Sequence, residues 1–181
     1  MPSAVILLAD GTEEMEFTIT YDTLVRAGVT CCAAYVPDPE DAGAAQRTYV
    51  TGSRGMRIVY DAPLDAQNFS PTEYDALIVP GGAKGADTMS KNAGVQELVQ
   101  KFLAEGKIVG MTCAGSLTAL TAKIPRQPLT SHSSVKSHLD NEFEYSEDPI
   151  VVSKKLVART AFPFALTLVR VPMVFPPHTP F

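Results

Sequence analysis

The segment KIVGMTCAGSLTALTA, residues 107–122, joins an apolar run directly to a run of residues that favour helices. The apolar part, 107–112, predicts a buried strand, and 114–122 predicts the helix that follows it. Cys113 stands between them. The sequence therefore predicts a sharp strand-to-helix turn with a cysteine at the carboxyl end of the strand.

Other apolar runs have similar surroundings. Residues 4–9 lead into an acidic helix that ends at Gly28, and 29–36 predict a second strand. Residues 76–79 lead into a Gly-rich loop at 81–85, and a helix is predicted from about 93 to 105. Continuously apolar strands that alternate with helices indicate a parallel sheet covered on both faces. The predicted fold class is α/β, doubly wound, with a mainly parallel sheet between helices.

The domain organisation follows from length and composition. With 181 residues and no repeat or linker, the chain is predicted to form one domain over 1–169. Residues 170–181 are predicted to be an irregular tail because prolines recur there. Residues 49–51 and 57–60, on either side of a Gly-containing turn, predict a hairpin appended to the main sheet.

Charge and cysteine content exclude several functions. A formal net charge of -5 argues against nucleic acid, which requires a concentrated basic patch. The first apolar run is too short for a membrane helix and lacks the basic start of a signal peptide. The three cysteines form no disulfide framework and no CxxC motif, as expected in a reducing compartment. We expect a cytoplasmic protein, with the nucleus as a second location.

Cys113 is the strongest candidate for chemistry. At a strand-to-helix turn its sulfur would lie near free backbone N–H groups and the positive end of a helix dipole, which favour the thiolate. Hydrolase folds expose their nucleophiles on turns of this kind. The alternative is a buried apolar cysteine, which is common in protein cores. We expect a nucleophile because of its position.

Backbone and acidic groups could assist this cysteine. Gly81 and Gly82 follow the neighbouring strand, so their N–H groups could stabilise an oxyanion, unless they form a simple tight turn. Glu16 lies in the first helix, where acidic residues usually face solvent. If Glu16 faced the pocket instead, burial would keep its proton on, and it could relay that proton to Cys113.

His132 is the best candidate for an imidazole beside the cysteine. It follows a short predicted strand, with His138 as a competitor, and a purely structural histidine is the alternative. No carboxylate is placed to orient it, so the sequence establishes no complete triad. No metal-ligand spacing occurs, and GGAKG lacks the ending of a nucleotide-binding loop. We expect no cofactor and no metal.

Four motifs together resemble the DJ-1/PfpI superfamily, most closely its glyoxalase III and deglycase branch. They are AVILLADGTEEME at 4–16, VPGGAKGA at 79–86, CAG at 113–115 and SH at 131–132. The resemblance runs from about residue 4 to about residue 168, and it implies a flavodoxin-like fold related to class I glutamine amidotransferases, as well as a homodimer. It also implies a set of site residues: nucleophilic Cys113, protonated Glu16, nearby His132, and the backbone amides of Gly82 and Ala114.

The resemblance implies a cofactor-independent glyoxalase of the D-lactate dehydratase type, which converts methylglyoxal to lactate. Its substrates would be small 2-oxoaldehydes. If the protein is also a deglycase, glycated side chains of other proteins would be substrates as well. The alternative is a non-enzymatic peroxide sensor or chaperone, in which peroxide oxidises Cys113 to a sulfinate. A cysteine peptidase is a weaker reading, because Ala114 stands where such enzymes place a histidine.

The C-terminal part departs from the family pattern. Residues 156–164 contain no glycine where the family has a Gly-rich turn, and prolines beyond Val169 are incompatible with a last helix. We therefore expect an altered C-terminal part of the pocket and of the dimer, with reduced activity as one consequence.

Overall fold

A computed structural model describes residues 1–40, 47–64 and 68–160. Within these ranges a seven-stranded sheet has the spatial order β10-β11-β7-β6-β1-β2-β5, and two further sheets, β3-β4 and β8-β9, have two strands each. The strands are β1 Ser3–Leu8, β2 Thr30–Tyr35, β3 Tyr49–Thr51, β4 Arg57–Val59, β5 Ala62–Pro63, β6 Ala76–Val79, β7 Ile108–Thr112, β8 Pro128–Leu129, β9 Glu144–Tyr145, β10 Ile150–Ser153 and β11 Leu156–Arg159.

The helices of the described part lie on both faces of this sheet. They are α1 Glu14–Arg26, α2 Ala83–Lys91, α3 Ala93–Ala104, α4 Leu117–Thr121 and α5 Lys136–Leu139, with short 3-10 turns at Cys113–Ser116 and Ser133–Val135. Neighbouring strands of the main sheet are parallel, except β10, which runs antiparallel to β11. The predicted doubly wound α/β class is confirmed.

Alternation along β1 explains why both faces are covered. Val5 and Leu7 belong to a core cluster that includes Leu98 and Phe102 of α3. Ile6 points to the opposite face, into a second cluster that includes Phe17 and Leu24 of α1. Full burial of each such side chain contributes about 1.5–3 kcal/mol, so the central strand is fixed from both sides.

The helix after β6 was not predicted. The sequence analysis expected a loop over 81–85 and a helix only from about 93, but α2 begins at Ala83, directly after Gly82. Asn92 then separates α2 from α3, and its side chain accepts a hydrogen bond from the N–H of Val95 at 3.1 Å. An Asn cap of this kind begins a new helix without an intervening loop.

The predicted hairpin and the predicted helix after Cys113 can both be compared with the structure. The hairpin is confirmed as β3 and β4, which pair with each other and not with the main sheet. The helix predicted over 114–122 begins instead with a 3-10 turn, and its α-helical part is the short α4. Residues 161–169 and the predicted tail 170–181 lie outside the described residues.

Candidate active site

Cys113 lies on a strained turn at the carboxyl end of β7. Its φ is 57°, a left-handed conformation that costs a residue with a side chain about 1–2 kcal/mol. Close packing holds the turn in place, because a Cβ on Gly115 would lie 2.5 Å from the carbonyl oxygen of Val79 and 2.6 Å from that of Pro80. The half-buried thiol is thus presented above the sheet.

Glu16 is brought to this thiol by the first turn of α1. Glu13 caps the helix by accepting a hydrogen bond from the Glu16 N–H at 2.8 Å. The Glu16 side chain is only 5% exposed, is hydrogen-bonded to the thiol of Cys113, and accepts a hydrogen bond from the Gly81 N–H at 2.7 Å. Burial raises the pKa of Glu16 to about 7, although these two hydrogen bonds oppose the rise. The carboxyl group therefore keeps its proton far above the usual pH range of a glutamate.

The electrostatics of Cys113 correct one expectation. Burial, followed by the negative charge of Glu16, raises the pKa of the thiol to about 12, instead of lowering it as predicted from a helix dipole. The hydrogen bonds from backbone N–H groups lower the pKa, as expected at such a turn, but burial and Glu16 outweigh them. Two adjacent buried acids cannot both ionise easily, so the pair titrates as a unit. Because the thiol has the higher pKa, the last proton of the pair lies on the sulfur, and a thiolate forms only when Glu16 takes that proton.

Backbone amides complete the surroundings of the sulfur. The N–H groups of Ala114 and Gly82 are hydrogen-bonded to Cys113 and lower the pKa of its thiol. The geometry gives Gly81 a different role from the predicted oxyanion contact, because its N–H donates to Glu16. Gly82 has a φ of 91°, and a Cβ there would lie 2.2 Å from the carbonyl oxygen of Gly11, so this turn requires glycine.

His132 lies at the same cavity, but its ring is directed by Ser134. Its Nδ1 is 2.8 Å from the Ser134 Oγ and accepts a hydrogen bond from the Ser134 N–H at 3.2 Å, so a neutral ring carries its proton on Nε2. The connection to Cys113 is through the backbone, where the His132 N–H donates to the Cys113 carbonyl at 3.2 Å. Within the described residues, the hydrogen bonds of the ring go to Ser134 and not to the sulfur.

Cys113, Glu16 and His132 line a cavity of about 850 Å³, and the hairpin β3-β4 supplies much of its wall. This hairpin was predicted to be an appendage of the main sheet, and its role as a cavity wall was not predicted. Two acidic residues at the beginning of the chain attach it: Asp10 pairs with Arg47 at 2.8 Å, and Glu14 accepts a hydrogen bond from the Ser53 Oγ at 2.9 Å. The signal in the sequence was the acidic run 10–16, which exceeds what helix capping alone requires.

The described residues contain neither a metal-binding cluster nor a membrane-spanning helix. Nowhere in the ranges 1–40, 47–64 and 68–160 do three His, Cys, Asp or Glu side chains form a group that could hold a metal ion. None of the helices in these ranges has both the length and the apolar character that crossing a bilayer requires.

Comparisons with known proteins agree with this architecture. Glutathione-independent glyoxalase DJ-1 of Schizosaccharomyces pombe is 33% identical over 178 residues, which cover 93% of this chain and 90% of that protein. A deglycase of Pyrococcus abyssi is 28% identical over 137 residues, 75% of each chain. The solved structure of Schizosaccharomyces pombe DJ-1 superposes with a TM-score of 0.82 at 30% identity, covering 92% of this chain and 90% of that one. The model of the DJ-1/PfpI family matches residues 2–170, and the chain belongs to that family.

Proposed function

We propose that this protein is a glutathione-independent glyoxalase that converts methylglyoxal and water to lactate, with Cys113 as its nucleophile. The observation that carries the proposal is the hydrogen bond between the Cys113 thiol and the buried carboxyl group of Glu16, inside a cavity open to small molecules. The names of the glyoxalase and deglycase relatives support the same reaction class.

The first step uses the single proton that the pair holds. This proton starts on the sulfur, which has the higher pKa. As the Cys113 sulfur bonds to the aldehyde carbon, Glu16 takes the thiol proton and passes it to the aldehyde oxygen, which gives a hemithioacetal and leaves Glu16 as a carboxylate. The N–H groups of Gly82 and Ala114, which contact the sulfur, are placed to donate hydrogen bonds to the oxygen as its charge develops.

The second step uses the carboxylate that the first one leaves. Glu16 removes the proton from the carbon bonded to sulfur and returns a proton to the neighbouring carbon, through an enediol, so that a thioester remains. Water then adds to the thioester, the carbon–sulfur bond breaks, and lactate and the free thiol are released. His132, with Nε2–H available, would assist these proton transfers from the cavity wall.

The test is lactate formation from methylglyoxal without glutathione or added metal. We expect activity in the wild type, and loss of activity in Cys113→Ala and Glu16→Ala. Cys31→Ala is the matched control, because Cys31 lies on β2 and does not line the cavity. A folded wild type without activity, or a Cys113→Ala variant that keeps it, would overturn the proposal.

Peroxide sensing by Cys113 is a second candidate function. Of the three free cysteines, Cys113 is the one that lines the cavity, where the Glu16 carboxyl could hydrogen-bond a sulfinate. Mass spectrometry after mild peroxide treatment tests this role. Selective gain of two oxygens at Cys113 would support it, and equal oxidation of Cys31 and Cys32 would refute it.

Deglycase activity, the oligomeric state, the cellular location and the effect of the C-terminus stay predictions. Deglycase activity on glycated side chains requires that the cavity admit a segment of another protein. Because one relative is named a deglycase, release of the sugar adduct from glycated peptides is the assay for this activity. The homodimer is an expectation from the resemblance, the cytoplasmic location with the nucleus as a second one follows the analysis of charge and cysteines, and the effect of the altered C-terminus follows from the departure from the family pattern. Sedimentation analysis of the full chain, together with its specific activity, tests the dimer and the expected impairment.

A further inference from the structure

The cavity is much larger than the substrate of the proposed reaction. A volume of about 850 Å³ lies within the range of pockets that hold drug-sized ligands, roughly 300–1,000 Å³. Methylglyoxal has three carbons and would occupy only the part next to Cys113. The remaining space is bounded by Arg47, which precedes β3, and by the hairpin β3-β4, which contributes Thr51, Gly52, Ser53 and Arg54.

Three basic side chains line this cavity, and they differ in their partners. Arg47 pairs with Asp10 at 2.8 Å, and Lys84 pairs with Asp38 at 3.3 Å. Arg54 has no carboxylate partner in the described part of the chain; its guanidinium contacts the carbonyl oxygen of Ser53 at 3.4 Å. A guanidinium in this position has donors available for an anion that enters the cavity.

The backbone that carries Arg54 is fixed. Its N–H donates a hydrogen bond of 2.5 Å to the buried carboxylate of Glu14, and the neighbouring Ser53 N–H donates to the carbonyl oxygen of Thr12 at 2.8 Å. The same segment of chain, from Thr12 onward, leads into α1 and Glu16. Arg54 is thus attached to the element that positions the catalytic carboxyl group.

We propose that Arg54 determines substrate specificity by binding an anionic group, such as a carboxylate, on a 2-oxoaldehyde larger than methylglyoxal. A planar guanidinium can bind a carboxylate through two parallel hydrogen bonds, which fixes orientation as well as charge. The aldehyde would then lie at Cys113 while the anionic group lies against the hairpin. This inference rests on the proposed glyoxalase function.

The test compares two substrates with the same reacting end, phenylglyoxal and 4-carboxyphenylglyoxal. Initial rates give kcat/KM for each, and mandelate or 4-carboxymandelate is the product. In the wild type we expect the ratio of the two kcat/KM values to favour the carboxylate by about fivefold, the upper end for an ion pair formed by an exposed side chain such as Arg54. In Arg54→Gln the ratio should fall to about one, and Arg54→Lys should retain part of the preference.

Arg57→Gln is the matched control. Arg57 lies on the same hairpin but stacks on the Tyr49 ring, with 5.1 Å between its guanidinium carbon and the ring centroid, and it does not line the cavity. Its ratio should equal that of the wild type. The same ratio in wild type and Arg54→Gln, or a wild type that prefers phenylglyoxal, would overturn the inference.

Failure of the proposed function would look different. A folded wild type that turns over neither methylglyoxal nor phenylglyoxal would remove the glyoxalase proposal itself. Calorimetric binding of 4-carboxymandelate and mandelate then still decides whether Arg54 binds anions. Preferential binding of 4-carboxymandelate that is lost in Arg54→Gln would support that role, and equal binding of the two compounds would refute it.

Discussion

Glu16 is hydrogen-bonded to Cys113 across the gap between α1 and the turn that follows β7. The same carboxyl group accepts a hydrogen bond from the N–H of Gly81, at the end of β6. Three segments from distant parts of the sequence therefore meet at one buried acid. A group in this position controls both the ionisation of the thiol and the packing of the site.

Glu16→Gln should abolish most of the activity. Glutamine keeps the size of the side chain but cannot carry the proton between the thiol and the substrate, and general acid–base groups contribute about 10²- to 10⁴-fold to rate. Lactate formation from methylglyoxal measures the loss. Asp22→Asn is the control, because Asp22 is an acid on the same helix whose partner is the exposed Arg26. A Glu16→Gln variant within a few-fold of wild type would contradict the assigned role.

Glu16 should also make the fold less stable as the pH rises. Its pKa is about 7 in the folded protein against 4.5 as the ordinary value, so the folded state binds more protons between these limits. Its stabilising contribution is therefore complete below about pH 4.5 and is lost as the pH rises through about 7, by about 3 kcal/mol in all. Urea unfolding at about pH 5 and about pH 8 measures the free energy of unfolding. The wild type should lose more of it than Glu16→Gln, and parallel losses would refute the raised pKa.

The fold class, and the position of Cys113 next to Gly81 and Gly82, could be predicted from the sequence for a simple reason. Continuous apolar strands and their helices depend on local periodicity, and the carboxyl ends of neighbouring parallel strands must meet at one edge. That argument was enough to place Cys113 beside the loop containing Gly81 and Gly82. The partnership with Glu16 came from the family resemblance, because the acidic run alone indicated a solvated face.

The missed features depend on contacts between distant residues. The direction of the thiol pKa shift was predicted wrongly because burial and the charge of Glu16, which depend on the folded structure, outweigh the backbone N–H groups at the turn. The absence of a side chain at Gly115 makes room for the carbonyl of Val79, a contact that no local pattern indicates. The hairpin wall was missed because the acidic run 10–16 was interpreted as the beginning of a helix, and only the folded structure shows that Glu14 accepts hydrogen bonds from the hairpin.

Gly81→Ala should damage the site more than the fold. A Cβ at this position would lie 2.8 Å from both the Cβ of Cys113 and the Oε2 of Glu16, which is too close for either to stay in place. We expect about a 10²-fold loss in kcat/KM from misplacement of the pair, with about 1–3 kcal/mol lost in stability.

Gly28→Ala separates this steric effect from ordinary backbone strain. Gly28 has a φ of 81° but nothing within 4 Å of an added Cβ, and it lies at the end of α1, away from the cavity. This variant should lose about 1 kcal/mol and keep wild-type activity. Equal activity in Gly81→Ala and Gly28→Ala would mean that the contact at Gly81 does not matter for the reaction.

Glu14→Gln should loosen the hairpin wall of the cavity. Burial raises the pKa of Glu14, but the hydrogen bonds from the Arg54 and Met56 N–H groups and the Ser53 hydroxyl outweigh it, so the pKa is below its ordinary value. The carboxylate therefore stabilises the fold at neutral pH, and this contribution is lost as the pH falls below about 4.5. A glutamine amide cannot accept all of these hydrogen bonds, and we expect a loss of about 1–3 kcal/mol in urea unfolding at neutral pH.

The control for this change is Glu97→Gln on α3, where the carboxylate forms an exposed ion pair with Lys101. That substitution should change stability by less than about 0.5 kcal/mol. The Glu14 variant should also raise KM for methylglyoxal, because a displaced hairpin no longer closes the cavity beside Cys113. If Glu14→Gln matched Glu97→Gln in both stability and KM, the hairpin would be held by its other contacts, Thr51 with Asp10 and Ser53 with Thr12.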